Sequence, residues 1–513
     1  MGGAIFVVEG GSLIIEGNLS LNGSSVAGGA AGVGGVGATA GQAFGSGLFL
    51  QGNGTLTFAP GAGNTQTISD NIADQTGSGG SGTYATGGPT CTAGVGCGSY
   101  SGSGSWTLTK TGAGTLVLSG ANTYTGGTTI AGGTLRVEND VALGTGAVTT
   151  TGSVLDYANG ITLANPIVID SNSTQLQVLT GTATQAGVIS ELNGPRPLEK
   201  IGAGTLVLSN ANTYTGGTTI SGGTLAVTDD SNLGATSGGL TFNGGTLQTS
   251  TPVGVPNFVT SRAVTLLAAG GTIETLRLTF LDGDISGAGG LTKTGALPLV
   301  LGGTNSYLGP TNVNEGTLSP GAAGGFSAAS AFTVAAGANI ELRGLDASIG
   351  SLAGVGTVTN SNVTAAVLTT GFDNTSTTFS GTMSNSSGPL SLVKVGSGTQ
   401  TLSGLNTYTG ATTVNAGTLS VNGSIASSSM TTVNPDGTLG GNGTVGNTLV
   451  SGGTLSPGNS IGALTVAGNL MMTAASTYMV EVSPAGSDYT HVTGTATLGG
   501  ATVQAQFAAG SYV

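Results

Sequence analysis

The residues of this sequence that could perform acid–base or nucleophilic chemistry are few. His491 is the single histidine, and Asp488 lies close to it in the chain. A serine, a histidine and a carboxylate can form a hydrolytic triad, but no Gly-x-Ser-x-Gly turn joins a hydrophobic strand to a helix. We therefore expect His491 to lie at the surface or at a strand edge, and we predict no catalytic residue.

The acidic residues are scattered, and their closest groups are Glu138-Asn139-Asp140, Asp229-Asp230 and Asp282-Gly283-Asp284. Sugar-cleaving enzymes need paired carboxylates, and Ca²⁺ binds clustered oxygen ligands. Asp282 with Asp284 could hold Ca²⁺ weakly, but the Gly-Gly-x-Gly-x-Asp repeat of calcium-binding solenoids is missing. We expect solvated carboxylates in turns, with no metal site and no cofactor.

Two cysteines, Cys91 and Cys97, lie in a segment rich in Gly, Ser and Thr. No histidine or third cysteine lies near them, which argues against a metal site. The spacing favours a small local disulfide in an oxidising compartment, and a pair of free thiols is the alternative.

The composition excludes several classes of protein. Gly supplies 99 of 513 residues, charged residues make up 6% and aromatic residues 4%, whereas globular domains have about 7% Gly and 25% charged residues. So much Gly disfavours long helices, and a net charge of −13 disfavours nucleic acid as a partner. No apolar run approaches the ~20 residues of a membrane helix. Met1–Glu9 has no basic region, so we do not expect a signal peptide there.

Internal repeats are the strongest pattern in the sequence. Lys110–Val137 and Lys200–Val227 differ at four of 28 positions, and further copies begin at Lys293 and Lys394. These are the only lysines of the chain. The repeats also align two other sets of residues, Asn122, Asn212, Asn305 and Asn406 with Tyr124, Tyr214, Tyr307 and Tyr408. A basic stripe would be too sparse for a polyanion, so we expect the lysines to have a fixed structural role in the turn at the start of each repeat.

A shorter period lies inside the long one. The triplet Gly-Thr-Leu recurs about every twenty residues and is followed by alternating apolar and polar residues, as in Leu116-Val117-Leu118-Ser119. This alternation is typical of half-buried strands. A unit this short buries its apolar face only by stacking on its neighbours. The expected fold class is therefore all-β, a right-handed parallel β-helix (solenoid) with a C-terminal capping region.

The spacing of the predicted strands suggests where the chain divides into regions. Loops are expected at 23–47 and 77–105, where strand signals are missing. The predicted divisions are N-terminal coils over 1–76, the cysteine-containing loop over 77–105, coils over 106–440 with repeats at 108–137, 198–227, 291–318 and 392–421, and a C-terminal cap over 441–513.

The motifs resemble a known family. Leu108–Leu116, Asn122–Gly126 and Gly133–Leu135 together resemble the passenger-associated repeat of bacterial autotransporters, and Ser456–Gly462 with the strands after it looks like their C-terminal passenger region, which is associated with closing the β-helix and promoting folding. The resemblance implies type V secretion, with a signal peptide and an outer-membrane β-barrel, neither of which we expect within residues 1–513. It also implies a cell-surface location in a Gram-negative bacterium.

The function expected from this resemblance is that of a surface-exposed or secreted passenger. We predict an adhesin-like, non-enzymatic rod that binds cell-surface or matrix ligands and could associate with itself, with no nucleic-acid partner. The alternative is a carbohydrate-active enzyme, a polysaccharide lyase or hydrolase on a β-helix. A third possibility is a surface that recognises ice or another hydroxyl lattice through rows of Thr.

Overall fold

The computed structural model describes residues 5–27, 45–78, 104–250 and 257–509. Cys91 and Cys97, with most of the two expected loops, lie outside these residues. Strands dominate the described parts of the chain, and the one helical turn among them is a short 3₁₀ turn at Asp230–Leu233. The chain forms two compact units, residues 1–239 and 240–513.

Unit one is built of short strands arranged in four sets, in each of which neighbouring strands are hydrogen-bonded. The first set is Ile5–Val7, Leu48–Leu50 and Ile72–Asp74; the second is Leu13–Glu16, Gly54–Ala59, Trp106–Lys110, Thr128–Ile130, Val148–Thr150, Ile167–Ile169 and Ile189–Glu191; the third is Leu19–Leu21, Thr65–Ile68, Thr115–Leu118, Thr134–Val137, Val154–Tyr157, Thr174–Val178, Leu198–Ile201 and Thr218–Ile220; the fourth is Thr162–Leu163, Thr182–Gln185, Thr205–Leu208 and Thr224–Val227.

Unit two is also built of sets of hydrogen-bonded strands, but one of its sets is a single long sheet. Its short sets are Leu240–Phe242, Val264–Leu266 and Ile285–Gly287; then Asn257–Thr260, Leu278–Leu281, Leu299–Leu301, Thr317–Pro320, Asn339–Glu341, Thr357–Asn360 and Thr382–Asn385; then Ser424–Ile425, Thr444–Val445, Ala463–Val466 and Tyr489–Val492. The long sheet contains Thr246–Thr249, Gly271–Thr275, Leu291–Thr294, Thr311–Val313, Ala331–Val334, Ala347–Ile349, Ser351–Gly354, Ala366–Thr370, Thr377–Phe379, Leu390–Lys394, Thr399–Leu402, Thr412–Val421, Thr431–Gly441, Thr448–Val450, Thr454–Pro457, Leu470–Met472, Thr477–Ser483, Gly486–Ser487, Ala496–Thr497 and Thr502–Phe507.

The strands of successive coils pair in parallel, as a β-helix requires. Leu116, Leu135 and Leu155 lie opposite one another in adjacent strands, and all three are fully buried. Such rows form the core, and burying each leucine contributes roughly 1.5–3 kcal/mol. Thr477–Ser483 and Gly486–Ser487 form an antiparallel hairpin near the end of unit two. The predicted parallel β-helix is therefore confirmed.

Glycine is needed where the chain turns into the last Gly-Thr-Leu strand of each repeat. The glycine of that triplet has a positive φ in all four repeats, with Gly133 at 62°, Gly223 at 56°, Gly316 at 65° and Gly417 at 62°. A Cβ on Gly133 would also lie 2.4 Å from the carbonyl oxygen of Gly114 in the coil before it. Both the left-handed conformation and the close approach of two backbones therefore require glycine.

The C-terminal strands, expected to close the stack, are more open than the rest. Thr502–Phe507 pairs in parallel with Thr477–Ser483. Its residues are all exposed, whereas those of Thr477–Ser483 are partly buried.

Candidate functional site

The four lysines that the repeats align are buried. Lys110 and Lys293 are 0% exposed, and Lys200 and Lys394 are 1% exposed. The Lys110 ammonium donates hydrogen bonds to the carbonyl oxygens of Thr111 at 2.7 Å, Gly112 at 2.9 Å and Gly132 at 2.9 Å. The first two acceptors form the turn after the lysine, and the third lies 22 residues further on, in the next coil.

The same arrangement recurs in the other three repeats. Each ammonium again binds the two carbonyls that follow it and one carbonyl 22 residues further on: Lys200 with Ile201, Gly202 and Gly222; Lys293 with Thr294, Gly295 and Glu315; Lys394 with Val395, Gly396 and Ala416. A lysine has three N–H donors, and all three are used. A buried charge without partners is very costly. We infer that each lysine holds two coils together through its hydrogen bonds, which agrees with the fixed structural role predicted from the repeats.

The repeat asparagines connect three coils at once. The side-chain oxygen of Asn212 accepts from the backbone N–H of Ile189 at 2.7 Å, in the preceding coil, and its amide donates to the carbonyl of Asn232 at 2.6 Å, in the following coil. Asn122, Asn305 and Asn406 use both ends in the same way. These amides satisfy backbone groups at a corner where the strand ladders are interrupted.

The repeat tyrosines lie inside the coils. Each hydroxyl hydrogen-bonds the hydroxyl of the threonine four residues later, at 2.6 Å for Tyr124, 2.7 Å for Tyr214, 2.6 Å for Tyr307 and 2.7 Å for Tyr408. Burial raises the pKa of Tyr307 to about 12 and raises the pKa of Tyr124 and Tyr408 as well. The rings are therefore core residues that carry one satisfied polar group.

The buried lysines and tyrosines predict an unusual pH dependence of stability. Burial lowers the pKa of Lys110, Lys200 and Lys293 to about 8, against about 10.4 in an unfolded chain. Between these values the unfolded state binds more protons, so the free energy of unfolding should rise with pH. Above about pH 10 the unfolded chain releases tyrosine protons that the folded state keeps, so stability should fall. Denaturant titrations from pH 7 to 11 should show a maximum near pH 10, and a steady decline from pH 8 would contradict this.

Asp74 supplies further hydrogen-bond acceptors at the corner that precedes the first repeat. The carboxylate of Asp74 is fully buried and accepts from the backbone N–H groups of Gly77 at 2.7 Å and Trp106 at 3.1 Å. It also accepts from the backbone and hydroxyl of Thr125, at 2.6 and 2.9 Å. One side chain therefore fixes both ends of the segment between Gly77 and Trp106 to the first repeat.

In the later repeats, the two residues that form this contact change together. Glu191 binds the backbone and hydroxyl of Thr215, and Asn385 binds the hydroxyl of Thr409. In the third repeat the corresponding positions hold Gly287 and Leu308, joined by a backbone hydrogen bond of 2.9 Å. Sequence reasoning missed this set. The sequence indicates this set only by position: each of its residues comes two places after the residue whose backbone N–H donates to the side chain of the repeat asparagine.

The residues singled out for catalysis do not form a reactive group. His491 is exposed and lies opposite Thr465. The carboxylate of Asp488 accepts from the backbone N–H groups of Gly462 at 2.8 Å and Glu481 at 2.9 Å. The segment Gly458–Gly462 has the Gly-x-Ser-x-Gly spacing but leads into a strand, so it is not a nucleophile elbow.

The acidic groups mostly stabilise turns. Asp229 accepts from the backbone and hydroxyl of Ser231, and Asp284 accepts from the backbone of Thr304 at 2.7 Å. Asp140 accepts from the backbone of Thr162 at 2.7 Å. Within the described ranges, no group of three or more His, Cys, Asp or Glu side chains is placed to hold a metal ion.

Acids from neighbouring coils meet around Arg136. Its guanidinium contacts Glu138 at 2.8 Å and Asp156, in the next coil, at 2.6 Å. Burial raises the pKa of Asp156. Because the arginine binds both carboxylates, the cluster reads as an ion-pair network rather than an acid–base pair with a free site for substrate.

The outward faces carry regular rows of uncharged polar groups. Thr57, Thr109, Thr129 and Thr149 lie opposite one another on four successive strands of unit one. Thr272, Thr292, Asn312 and Thr333 form a similar row in unit two. Adjacent strands are about 4.8 Å apart, so each row repeats one hydrogen-bonding group at that interval.

Comparison with known proteins agrees with these repeats. Residues 108–137, 198–227, 291–319 and 392–421 match the family described as passenger-associated-transport-repeat. A stretch of 148 residues is 40% identical to a protein named adhesin BmaC autotransporter, from Brucella suis biovar 1 (strain 1330); it covers 28% of this chain and 4% of that protein.

No solved structure matches the chain. In the part of the chain that the structure describes, no helix has the length and apolar character needed to cross a membrane. Four passenger-associated-transport repeats within a parallel β-helix, together with the similarity to an autotransporter adhesin, support an autotransporter passenger domain with repeats.

Proposed function

We propose that this passenger is an adhesin-like, non-catalytic protein of the Gram-negative cell surface. Its task is to bind ligands on other cells or in the surrounding matrix. The observation that carries the proposal is the direction of the polar groups. The lysine, asparagine and tyrosine of every repeat point inward, and several rows on the outer faces consist of hydroxyls and amides. Such faces suit many weak contacts spread over an extended surface.

The similarity to a protein named an adhesin supports this proposal. The burial of all four lysines supports it further, because the exposed surface is left poor in positive charge and unsuited to nucleic acid. Hydrolysis or elimination in a sugar chain would need carboxylates that are free to act. The two carboxylates that meet at Arg136, Glu138 and Asp156, are held by that arginine.

The test compares a non-adherent Gram-negative host that carries the natural gene with one that carries the gene without residues 1–513. Adhesion to cultured cells and to matrix-coated wells is measured, with surface labelling as the control for export. We expect adhesion only with the intact gene. Equal adhesion by both strains would overturn the proposal, as would release of reducing ends or unsaturated uronates from a polysaccharide panel by the purified chain.

A further inference from the structure

A groove on the outer surface of unit two differs from the polar faces around it. It has a volume of about 360 Å³, which is within the range of small-ligand sites. Its walls include Phe280, Val300, Pro320 and Leu345, with Asp282 and Arg343 among the lining residues. Apolar and charged side chains therefore meet in one concave site.

Phe280 and Val300, which lie opposite each other on adjacent strands, form the apolar floor of the groove. Val259, opposite Phe280 on the other side, is exposed next to it. Thr279 and Leu281, on either side of Phe280, are buried, so the phenyl ring must face outward. The outward rows described above hold Thr and Asn, and a large ring beside an exposed valine forms an apolar patch of the kind that marks binding sites.

The two charged residues at the groove are available to a ligand. Among the described residues, neither the carboxylate of Asp282 nor the guanidinium of Arg343 has a hydrogen-bond or ion-pair partner. Arg343 is exposed and has a φ of 57°. A left-handed conformation in a residue other than Gly is uncommon, and such strain is concentrated at functional sites.

The turn that carries Arg343 is held in place by Glu341. The carboxylate of Glu341 accepts from the backbone N–H groups of Arg343 at 3.0 Å and Ser361 at 2.7 Å, and from the hydroxyl of Thr359 at 2.6 Å. The carboxylate of Glu341 is therefore engaged in hydrogen bonds within the protein. Asp282 and Arg343 are the ionic groups that remain to bind a ligand.

We propose that this groove binds a neutral pyranose residue of a glycan. An ionised carboxylate only accepts hydrogen bonds and a guanidinium only donates them, so the pair is complementary to sugar hydroxyls, which do both. The C–H face of the ring would pack on Phe280. A charged sugar of either sign would be attracted by one of these two groups and repelled by the other, whereas the hydroxyls of a neutral sugar can bind both. The inference rests on the proposed function and names its ligand class.

The experiment uses the full 513-residue chain on sensors coated with dextran, galactan and mannan, with chitosan and polygalacturonate as charged counterparts. We expect binding to at least one neutral glycan, and at least tenfold weaker binding for Phe280→Ala, Asp282→Ala and Arg343→Ala. Asp436→Ala, at an exposed acid in the same unit, is the matched control and should bind normally. Circular dichroism verifies that each variant is folded.

Several results would overturn the groove proposal: binding to the charged glycans alone, no binding to any neutral one, or equal binding by all variants. They would leave the proposed adhesion intact if whole cells still adhere. Conversely, groove-dependent glycan binding by a chain whose cells do not adhere would refute the adhesin proposal and keep the groove as a sugar site.

Discussion

Replacing Lys200 by methionine is expected to loosen the two coils that this lysine joins. Methionine fills similar space but has no donors, so the carbonyls of Ile201, Gly202 and Gly222 would lose their partner. Leaving buried polar groups unsatisfied costs about 3 kcal/mol in total. Amide hydrogen exchange in these coils should therefore become roughly a hundredfold faster.

The equivalent substitution Lys394→Met provides the matched control in unit two. Coils of a solenoid contact only their neighbours, so Lys200→Met should leave the exchange of residues 394–416 unchanged, and Lys394→Met should leave that of residues 200–222 unchanged. Unchanged exchange around Lys200 in its own variant would show that the ammonium contributes nothing. A uniform increase along the chain would show that it acts on global stability instead.

The sequence was sufficient for the fold because repetition made the core visible. Leu116 and Leu135 stand at the same place in successive Gly-Thr-Leu strands, and their alignment predicted the parallel register found in the structure. The repeats also predicted a structural role for the lysines. What they did not predict is burial, because the cost of burying a charge makes an exposed lysine the ordinary expectation. The one indication was that the chain has no lysine elsewhere.

Contacts between coils of unequal length could not be predicted in this way. Asp74 and Thr125 are 51 residues apart because a long segment intervenes, whereas Glu191 and Thr215 are 24 apart. The groove has the same origin, since Phe280, Val300 and Arg343 come together only through the register of neighbouring coils and the turn after Asn339–Glu341. A period of about twenty residues fixes the inward rows, but it does not fix which outward side chains meet.

Substitution of Asn212 by alanine is expected to have an effect of comparable size that spreads over three coils. The change removes the acceptor for the N–H of Ile189 and the donor to the carbonyl of Asn232. Both backbone groups are buried, and each unsatisfied group costs about 1–3 kcal/mol. We expect the free energy of unfolding in denaturant to fall by about 3 kcal/mol, with faster exchange at Ile189 and around Asn232.

Asn210→Ala is the control that separates this bridge from the mere loss of an amide. Asn210 lies two residues away, is exposed, and donates to Ala186 at 3.2 Å, so its replacement should cost less than about 0.5 kcal/mol. Similar losses in the two variants would mean that the bridging hydrogen bonds of Asn212 are dispensable. A large loss for Asn212→Ala alone would show why the repeat retains an asparagine at a corner where other turns use glycine: the neighbouring coils depend on it for hydrogen bonds that strand pairing cannot supply there.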